Sequence, residues 1–199
     1  MQLFPDTNEH LILPNAELIY VPDFFSLKAS DAYFNSLQND TPWQHDDIKV
    51  FGKTYKQPRL TALYGEDDRP YSYSNITMQP HSFSSDLKII KDKVEAFSDA
   101  TFNSVLLNWY RDGQDSNGWH ADNEASLGQN PIIASVTFGS ERPFHFAHRT
   151  LKDQRHRLIL KHGSLLIMKG EMQHYWLHQI AKTKKDIGGR INLTFRKLI

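Results

Sequence analysis

Towards its C-terminal side the chain reads Arg190-Ile191-Asn192-Leu193-Thr194-Phe195-Arg196, in which polar and apolar side chains alternate at every position. Successive side chains of a β-strand point to opposite faces, so the three apolar residues share one face and the four polar residues share the other. The pattern predicts a strand that packs on a core with one side and lines a polar cavity with the other. Two arginines on a cavity face favour an anion, because guanidinium groups pair bidentately with carboxylates.

A second alternating stretch, Leu106 to Tyr110, places Asn108 and Tyr110 on one face and Leu107 and Trp109 on the other. A tyrosine hydroxyl and an asparagine amide are neutral donors that would complete a dicarboxylate site beside two arginines. The alternative is an exposed strand whose arginines are merely solvated. That alternative does not explain why these stretches occur together with the metal motif that follows.

The metal motif consists of His120-Ala121-Asp122 and a second histidine near residue 178. Two histidines and one carboxylate are the ligand set of non-haem Fe(II) oxygenases, which leave the remaining positions open for a co-substrate and O2. His174 competes with His178, because a strand over 174–178 would place both histidines on one face. The residues predict an Fe(II) site and leave the second histidine open.

These motifs resemble the AlkB family of Fe(II)/2-oxoglutarate-dependent dioxygenases, from about Val50 onward and especially the animal DNA-repair members. The matching stretches are 102–110, 112–122, 131–139, 162–168 and 190–197. The resemblance implies that iron binds to His120, Asp122 and His178. It favours His178 over His174 because the family ligand directly precedes the loop that leads to the arginine strand. The residues that it implies for 2-oxoglutarate are Asn108, Tyr110, Arg190, Asn192 and Arg196.

Length and composition agree with one enzyme domain over residues 1–199. The chain is 39% hydrophobic, with a net charge of zero and no cysteine, so it can bury a core, and disulfides and thiolate metal sites are excluded. We find no signal peptide and no apolar run near the roughly 20 residues of a membrane span. We therefore expect a soluble, intracellular monomer without membrane contact, in the cytoplasm if bacterial and in the nucleus if eukaryotic.

The order of elements indicates an α+β protein that is mainly β. Helices are expected over about Ser26 to Gln38 and Ser85 to Phe97, the second with apolar residues at helical spacing. Short strands follow from about residue 104. By resemblance, about 104–199 forms a double-stranded β-helix (jelly-roll) catalytic core that the N-terminal helices support, and about 50–79 forms a nucleotide-recognition lid.

The lid decides the expected substrate. By resemblance, Phe51 lies in a hairpin that inserts an aromatic ring into the base stack when a damaged base is flipped out. Tyr73 would stack on the extruded base, while Tyr71 and Glu124 would meet its polar edge and Arg59 would belong to the same lid. The alternative for Phe51 is an ordinary core residue. Because the net charge is zero, contacts to nucleic acid would come from local basic runs, such as Lys182, Lys184 and Lys185.

The resemblance implies oxidative dealkylation of N-alkylated bases such as 1-methyladenine and 3-methylcytosine in DNA. The cofactors would be Fe(II), 2-oxoglutarate and O2, and the products would be succinate, CO2 and formaldehyde. Three alternatives remain: the same chemistry on RNA, a dioxygenase for proteins or small molecules, and a catalytically silent nucleic-acid-binding module with a structural metal. The aromatic lid argues against the second alternative, and the intact ligand set argues against the third.

Overall fold

The computed structural model describes residues 9–50, 52–73 and 76–199. Among these residues, no helix has the length and apolar character that crossing a membrane requires. The helices are α1 (Leu27–Asp40), α2 (Ser85–Ser98) and α3 (Met172–Tyr175). The strands are β1 (Glu9–Leu13), β2 (Ala16–Val21), β3 (Asp47–Val50), β4 (Lys53–Lys56), β5 (Leu60–Gly65), β6 (Tyr71–Tyr73), β7 (Ile76–Met78), β8 (His81–Ser82), β9 (Ser104–Tyr110), β10 (Asn117–His120), β11 (Ile133–Gly139), β12 (Arg142–His148), β13 (Arg155–Leu160), β14 (Ser164–Lys169), β15 (Trp176–Ile180) and β16 (Arg190–Arg196).

Eight strands form the larger sheet, in the order β1-β2-β14-β11-β16-β9-β5-β8. All of its neighbours pair antiparallel except β5 and β8. The strand β16 lies between β11 and β9, with Arg190 opposite Tyr110 and Asn192 opposite Asn108. The two alternating stretches of the sequence are therefore adjacent strands, and their polar faces coincide.

The smaller sheet has four antiparallel strands in the order β10-β15-β12-β13. Its apolar side chains, including Phe146 and Trp176, pack in one buried cluster with Leu106 and Leu166 of the larger sheet. The two sheets therefore enclose a common core, which is the jelly-roll architecture predicted from the sequence. Two separate hairpins, β3-β4 and β6-β7, lie between β2 and β9 in the chain, and Tyr71, Ile76 and Met78 of the second hairpin pack in the same buried cluster.

The helices α1 and α2 cover the opposite face of the larger sheet. From α2, Leu87, Ile90 and Val94 are fully buried and pack with residues such as Leu107 and Leu193. Each fully buried aliphatic side chain contributes about 1.5–3 kcal/mol relative to exposure. Both helices begin after a serine whose hydroxyl accepts a hydrogen bond from a backbone N–H of the first turn. The predicted supporting helices are confirmed to within two residues at each end.

Candidate metal and dicarboxylate site

The structure brings His120, Asp122 and His178 together, with one potential ligand atom from each residue within 4.8 Å of the others. His120 and His178 are paired across β10 and β15, and their ring centroids lie 4.2 Å apart. Asp122 and His178 are each only 4% exposed. Residues from two strands and the loop after β10 therefore meet at one point, between the sheets.

A register shift in β10 turns His120 towards this point. Between the pairs Asn117–Ile180 and His120–His178, two residues of β10 face a single residue of β15, which is a β-bulge. The Nδ1 atom of His120 lies 2.7 Å from the carbonyl oxygen of Gly118. Donation from Nδ1 leaves the lone pair on Nε2, the arrangement that a metal ligand needs.

Asp122 is held in its ionised form by Arg196. The Nη2 group of Arg196 donates to Oδ1 of Asp122 at 2.9 Å, and both side chains are buried. Burial alone would raise the pKa of Asp122, but Arg196 and the two histidines lower this pKa to about 2. The backbone N–H of Asp122 donates to Oε1 of Gln173 at 2.9 Å, which fixes the main chain as well.

Burial also keeps the histidines neutral. The pKa of His178 falls to about 3, because burial disfavours the imidazolium and the neighbouring His120 acts in the same direction. Burial lowers the pKa of His120 as well. Neutral imidazoles and an ionised carboxylate are the protonation states that bind a divalent cation.

His174 does not share a strand face with His178, contrary to the expectation from the sequence. It lies in the short helix α3, where its side chain is exposed, and it is outside the cluster of potential ligands. The spacing of four residues was ambiguous, because it fits both a strand face and one helical turn.

The other end of β16 forms a buried cationic site. Arg190 is fully buried, donates from Nη2 to Oγ1 of Thr137 at 2.9 Å, and lies with Cζ 5.2 Å from the ring centroid of Tyr110. Its Nε and Nη1 groups are buried without a hydrogen-bond partner among the described residues. Burial lowers the pKa of Arg190 to about 10. A carboxylate placed here would satisfy donors that the protein leaves open.

Between the two ends, the predicted asparagines have protein partners. Oδ1 of Asn108 accepts a hydrogen bond from Nε of Arg59 at 2.7 Å. Nδ2 of Asn192 donates to Oγ of Ser135 at 3.0 Å and to the carbonyl of Val136 at 3.1 Å. Arg59, predicted as a lid residue, therefore contacts a residue predicted for 2-oxoglutarate, which links the two groups.

Tyr71 and Glu124 lie beside each other near Arg196, whose Cζ is 5.3 Å from the Tyr71 ring centroid. Burial raises the pKa of both side chains, although Arg196 acts in the opposite direction. Both residues line the same cavity as the metal cluster. The predicted roles of Phe51 and of the Tyr73 side chain lie outside the described part of the chain.

This cavity has an empty volume of about 760 Å³, including its open mouth. Its walls include the metal cluster, both asparagines, Tyr110 and Arg196, whereas Arg190 lies against Tyr110 and is not part of the wall. The polar face of β16 therefore lines the cavity along most of its length, as the alternation predicted.

Two functional candidates were missed from the sequence. Gln173 anchors the backbone of Asp122, and Arg142 is a buried guanidinium 5.8 Å from the ring centroid of Tyr110. Neither lies in an alternating stretch or a metal motif. The available signal for Arg142 was its spacing of two and four residues from Phe144 and Phe146, which places it on the buried face of the same strand.

The donor set fits Fe(II) and a dicarboxylate. Two neutral imidazoles and one carboxylate are a facial ligand set for Fe(II), and they leave further coordination positions free. The unpartnered donors of Arg190 fit a carboxylate at the far end of the site.

Comparison with known proteins agrees with this geometry. Residues 17–196 match the profile of the 2OG-Fe(II) oxygenase superfamily. The chain is 42% identical over 189 residues to alpha-ketoglutarate-dependent dioxygenase alkB homolog 3 of Bos taurus, covering 88% of this chain and 64% of that relative. It is 35% identical over 185 residues to DNA oxidative demethylase ALKBH2 of Mus musculus, covering 88% of this chain and 77% of the relative.

A solved structure described as that of OsALKBH1 superposes with a TM-score of 0.65 at 18% identity, covering 94% of this chain and 100% of the other. That similarity bears on the fold. The chain spans less than two thirds of the alkB homolog 3 relative. The profile match and the shared identity establish that the chain belongs to the 2OG-Fe(II) oxygenase superfamily and, within it, to the AlkB family of dioxygenases.

Proposed function

We propose that this chain is an Fe(II)/2-oxoglutarate-dependent dioxygenase that removes alkyl groups from the ring nitrogens of damaged bases in DNA. Membership of the superfamily implies Fe(II), 2-oxoglutarate and O2. We assign residues 1–199 to one domain, with a lid over about 50–79 and a catalytic core over about 104–199. The observation that carries the proposal is the buried His120–Asp122–His178 cluster at the wall of a cavity that also contains Tyr71 and Glu124.

In this proposal His120, Asp122 and His178 hold Fe(II), and Arg196 keeps Asp122 ionised. Arg190 and Tyr110 receive the far carboxylate of 2-oxoglutarate, and Asn108 and Asn192 face its middle. When bound, Fe(II) with 2-oxoglutarate and O2 supplies the oxidation that adds a hydroxyl group to the N-alkyl carbon, with succinate and CO2 as co-products. The C–N bond then breaks, so that formaldehyde leaves and the base keeps its electron pair.

The protein's part after hydroxylation is to hold the base rather than to supply a nucleophile. In this proposal Tyr71 and Glu124, which line the cavity, bind the polar edge of a flipped base, and Tyr73 stacks on its ring. Methylation at N1 of adenine or N3 of cytosine makes the base cationic and prevents pairing, so flipping it costs less. The carboxylate of Glu124 favours a cationic base at this position.

Two relatives support DNA as the substrate, since both are named DNA oxidative demethylase ALKBH2, one from Arabidopsis thaliana and one from Mus musculus. The lysines of the loop after β15, Lys182, Lys184 and Lys185, are proposed to contact the phosphate backbone, which positions the strand without reading its sequence. All groups of the proposed site come from one chain, so a monomer suffices for the reaction.

The deciding experiment measures formaldehyde and succinate from oligonucleotides with one 1-methyladenine or one 3-methylcytosine. Single- and double-stranded DNA and the matching RNA are compared at equal concentration. The proposal expects equal amounts of both products and release from DNA at least as fast as from RNA. Release from RNA alone would replace DNA by RNA as the substrate, and succinate without formaldehyde would exclude base dealkylation.

A pair of variants tests the proposed lid. Stacking of a base on an aromatic side chain contributes about 1–3 kcal/mol, roughly ten- to a hundredfold in rate or affinity. Phe51→Ala is expected to reduce repair of duplex DNA by this factor and to spare a single strand, because a wedge is needed only to open a duplex. Tyr73→Ala is expected to reduce both. Equal losses for Phe51→Ala, together with a lower Tm, would identify Phe51 as a core residue.

A further inference from the structure

Arg142, the first residue of β12, holds three backbone carbonyl groups of two different loops. Its Nη1 group donates to the carbonyl of Asp112 at 3.1 Å, and Nη2 donates to those of Asp115 at 3.0 Å and Ala181 at 2.6 Å. The side chain is 1% exposed. One planar guanidinium, buried at the junction, therefore fixes the loop after β9 against the loop after β15.

The same two loops touch elsewhere. The backbone N–H of Thr183 donates to the carbonyl of Gly113 at 2.8 Å, and Nε2 of Gln114 donates to the carbonyl of Thr183 at 3.1 Å. A Cβ atom at Gly113 would lie 2.7 Å from the Thr183 oxygen, so the approach is as close as glycine permits. Thr183 belongs to residues 181–186, which contain three lysines and which we call the lysine loop.

Arg142 also lies near Tyr110, a residue of the cavity wall, and near the buried Arg190 behind it. Its Cζ lies 5.8 Å from the ring centroid of Tyr110, and Cζ of Arg190 lies 5.2 Å from the same centroid. Among the described residues, neither guanidinium forms a salt bridge with a carboxylate. Two buried cations near one ring repel each other, and Arg142 is one cause of the lowered pKa of Arg190. An anion at Arg190 relieves this repulsion.

We propose that Arg142 is a positioning residue with two separable effects: its hydrogen-bonding fork fixes the lysine loop, and its charge strengthens anion binding at Arg190. The fork holds the start of the loop that carries Lys182, Lys184 and Lys185 through the carbonyl of Ala181. The charge adds to the attraction that Arg190 exerts on a dicarboxylate. The consequence for nucleic acid rests on the proposed function, whereas the effects on the loop and on anion binding do not.

Two substitutions separate the effects. Arg142→Lys keeps the positive charge but replaces a planar fork by a point charge that cannot reach all three carbonyls. Arg142→Met removes both the fork and the charge. Arg142→Lys should therefore loosen the lysine loop with 2-oxoglutarate affinity within about threefold of the wild type. Arg142→Met should loosen the loop and also weaken 2-oxoglutarate by roughly tenfold or more.

Trypsin provides a local readout, because it cleaves after lysine. Brief digestion under native conditions, followed by mass spectrometry, gives the ratio of cleavage after Lys182, Lys184 and Lys185 to cleavage after Lys152. Lys152 is exposed in the turn between β12 and β13 and makes no contact with Arg142. A general loss of stability accelerates cleavage at both places and leaves the ratio unchanged. Loss of the hydrogen bonds from Arg142 to the loop carbonyls, which we call the clamp, raises the ratio, by about tenfold for one charge-assisted hydrogen bond.

Gln114→Ala serves as the matched control, since it removes a side-chain contact to the lysine loop and leaves the guanidinium in place. Its ratio should stay within about twofold of the wild type. Affinity for 2-oxoglutarate is measured by calorimetry on Mn(II)-loaded protein without O2. The Michaelis constant for a methylated oligonucleotide should rise in both Arg142 variants, while the kcat of Arg142→Lys remains near the wild-type value.

An unchanged cleavage ratio in Arg142→Lys overturns the clamp, whatever the activity. Equal affinity for 2-oxoglutarate in the wild type and in Arg142→Met overturns the charge effect. If Arg142→Met does not fold, Arg142→Lys still tests whether the guanidinium fixes the loop. Arg142→Gln then takes the place of Arg142→Met in testing the effect of the charge on 2-oxoglutarate affinity. A raised cleavage ratio in a protein that releases no formaldehyde from any oligonucleotide would support the clamp and reject the proposed function.

Discussion

The two ends of β16 carry the same residue type on the same face, yet the protein treats them differently. Arg196 is paired with Asp122 at 2.9 Å, and this partner outweighs burial, so the pKa of Arg196 is raised. Arg190 has two buried donors without a partner among the described residues, and burial lowers its pKa to about 10. One arginine belongs to a completed ion pair, while the other keeps buried donors that the proposed dicarboxylate would satisfy.

The difference shows that a strand can build two kinds of anion site from one repeating pattern. At the metal end the carboxylate comes from the chain itself and is kept ionised for the proposed cation. At the far end no carboxylate of the described residues pairs with Arg190, and in the proposed function 2-oxoglutarate supplies the group that offsets the cost of burying this cation. Stability should therefore depend on Arg196, and ligand affinity on Arg190.

The largest effect is expected from substituting a proposed metal ligand. Asp122→Ala and His178→Ala should each lower succinate formation more than about a hundredfold, because even partners of metal ligands cost ten- to a hundredfold. His174→Ala, at an exposed position in α3, is the control and should keep most of the activity. Full activity in His178→Ala with a dead His174→Ala would show that the wrong histidine was assigned.

Substitution of the two arginines should affect different quantities: stability for Arg196 and 2-oxoglutarate affinity for Arg190. Arg196→Met leaves the buried charge of Asp122 unpaired, a loss of about 3–5 kcal/mol in the free energy of unfolding. Arg190→Met removes an unpaired buried cation and should lower the free energy of unfolding clearly less. It should weaken the binding of 2-oxoglutarate by about 2–5 kcal/mol. Urea denaturation and calorimetry measure the two quantities. Equal destabilisation by both substitutions would remove the distinction between the two ends.

A third test uses the ligand to complete the open end. At 2-oxoglutarate concentrations of about 100 times Kd, binding stabilises a protein by about 2.7 kcal/mol, which is roughly 5–10 °C in Tm for a chain of this size. The wild type without O2 should show this increase, and Arg190→Met should show almost none at the same concentration. Similar increases in both proteins would mean that Arg190 does not bind the co-substrate.

The smallest effect concerns the loop beside the Arg190 end. Burial would raise the pKa of Asp115, but hydrogen bonds from Arg111 lower it below its ordinary value. A lowered folded-state pKa contributes stability above the ordinary pKa of 3.8, and this stability disappears as the pH falls through the lowered pKa. Arg111 is partly exposed, so the contribution is at most about 1 kcal/mol. Arg111→Met should therefore lower Tm by a few degrees at pH 6, and its difference from the wild type should shrink as the pH falls below 3.8.

The sequence predicted those parts of the fold that follow from local periodicity. The alternation in Arg190–Arg196 and Leu106–Tyr110 assigned each side chain to the correct face, because pleating makes that assignment independent of the partner strands. The helices expected from about Ser26 and Ser85 begin at Leu27 and Ser85. Proximity of His120, Asp122 and His178 followed from family resemblance, and their roles as ligands remain a prediction.

Other features could not be predicted, because they depend on pairs far apart in the chain. Nothing in the sequence near Arg196 identifies Asp122 as its partner. The resemblance had assigned Asp122 to iron and Arg196 to 2-oxoglutarate. Arg142 binds backbone carbonyls, which every residue possesses, so its partners carry no sequence signature. The spacing of His174 and His178 fits a helical turn as well as a strand, and tertiary contacts selected the turn.

The position of β16 has a consequence for synthesis on the ribosome. Among the described residues this strand follows all the others in sequence, yet it lies between β11 and β9 in the interior of the larger sheet. Until it is translated, β9 and β11 have no common neighbour, and their exposed edges can pair with the wrong strand. The nascent chain therefore contains His120, Asp122 and His178 before it contains Arg196, and Asp122 acquires its counter-ion only when β16 inserts. Folding of the metal end is thereby coupled to completion of the sheet.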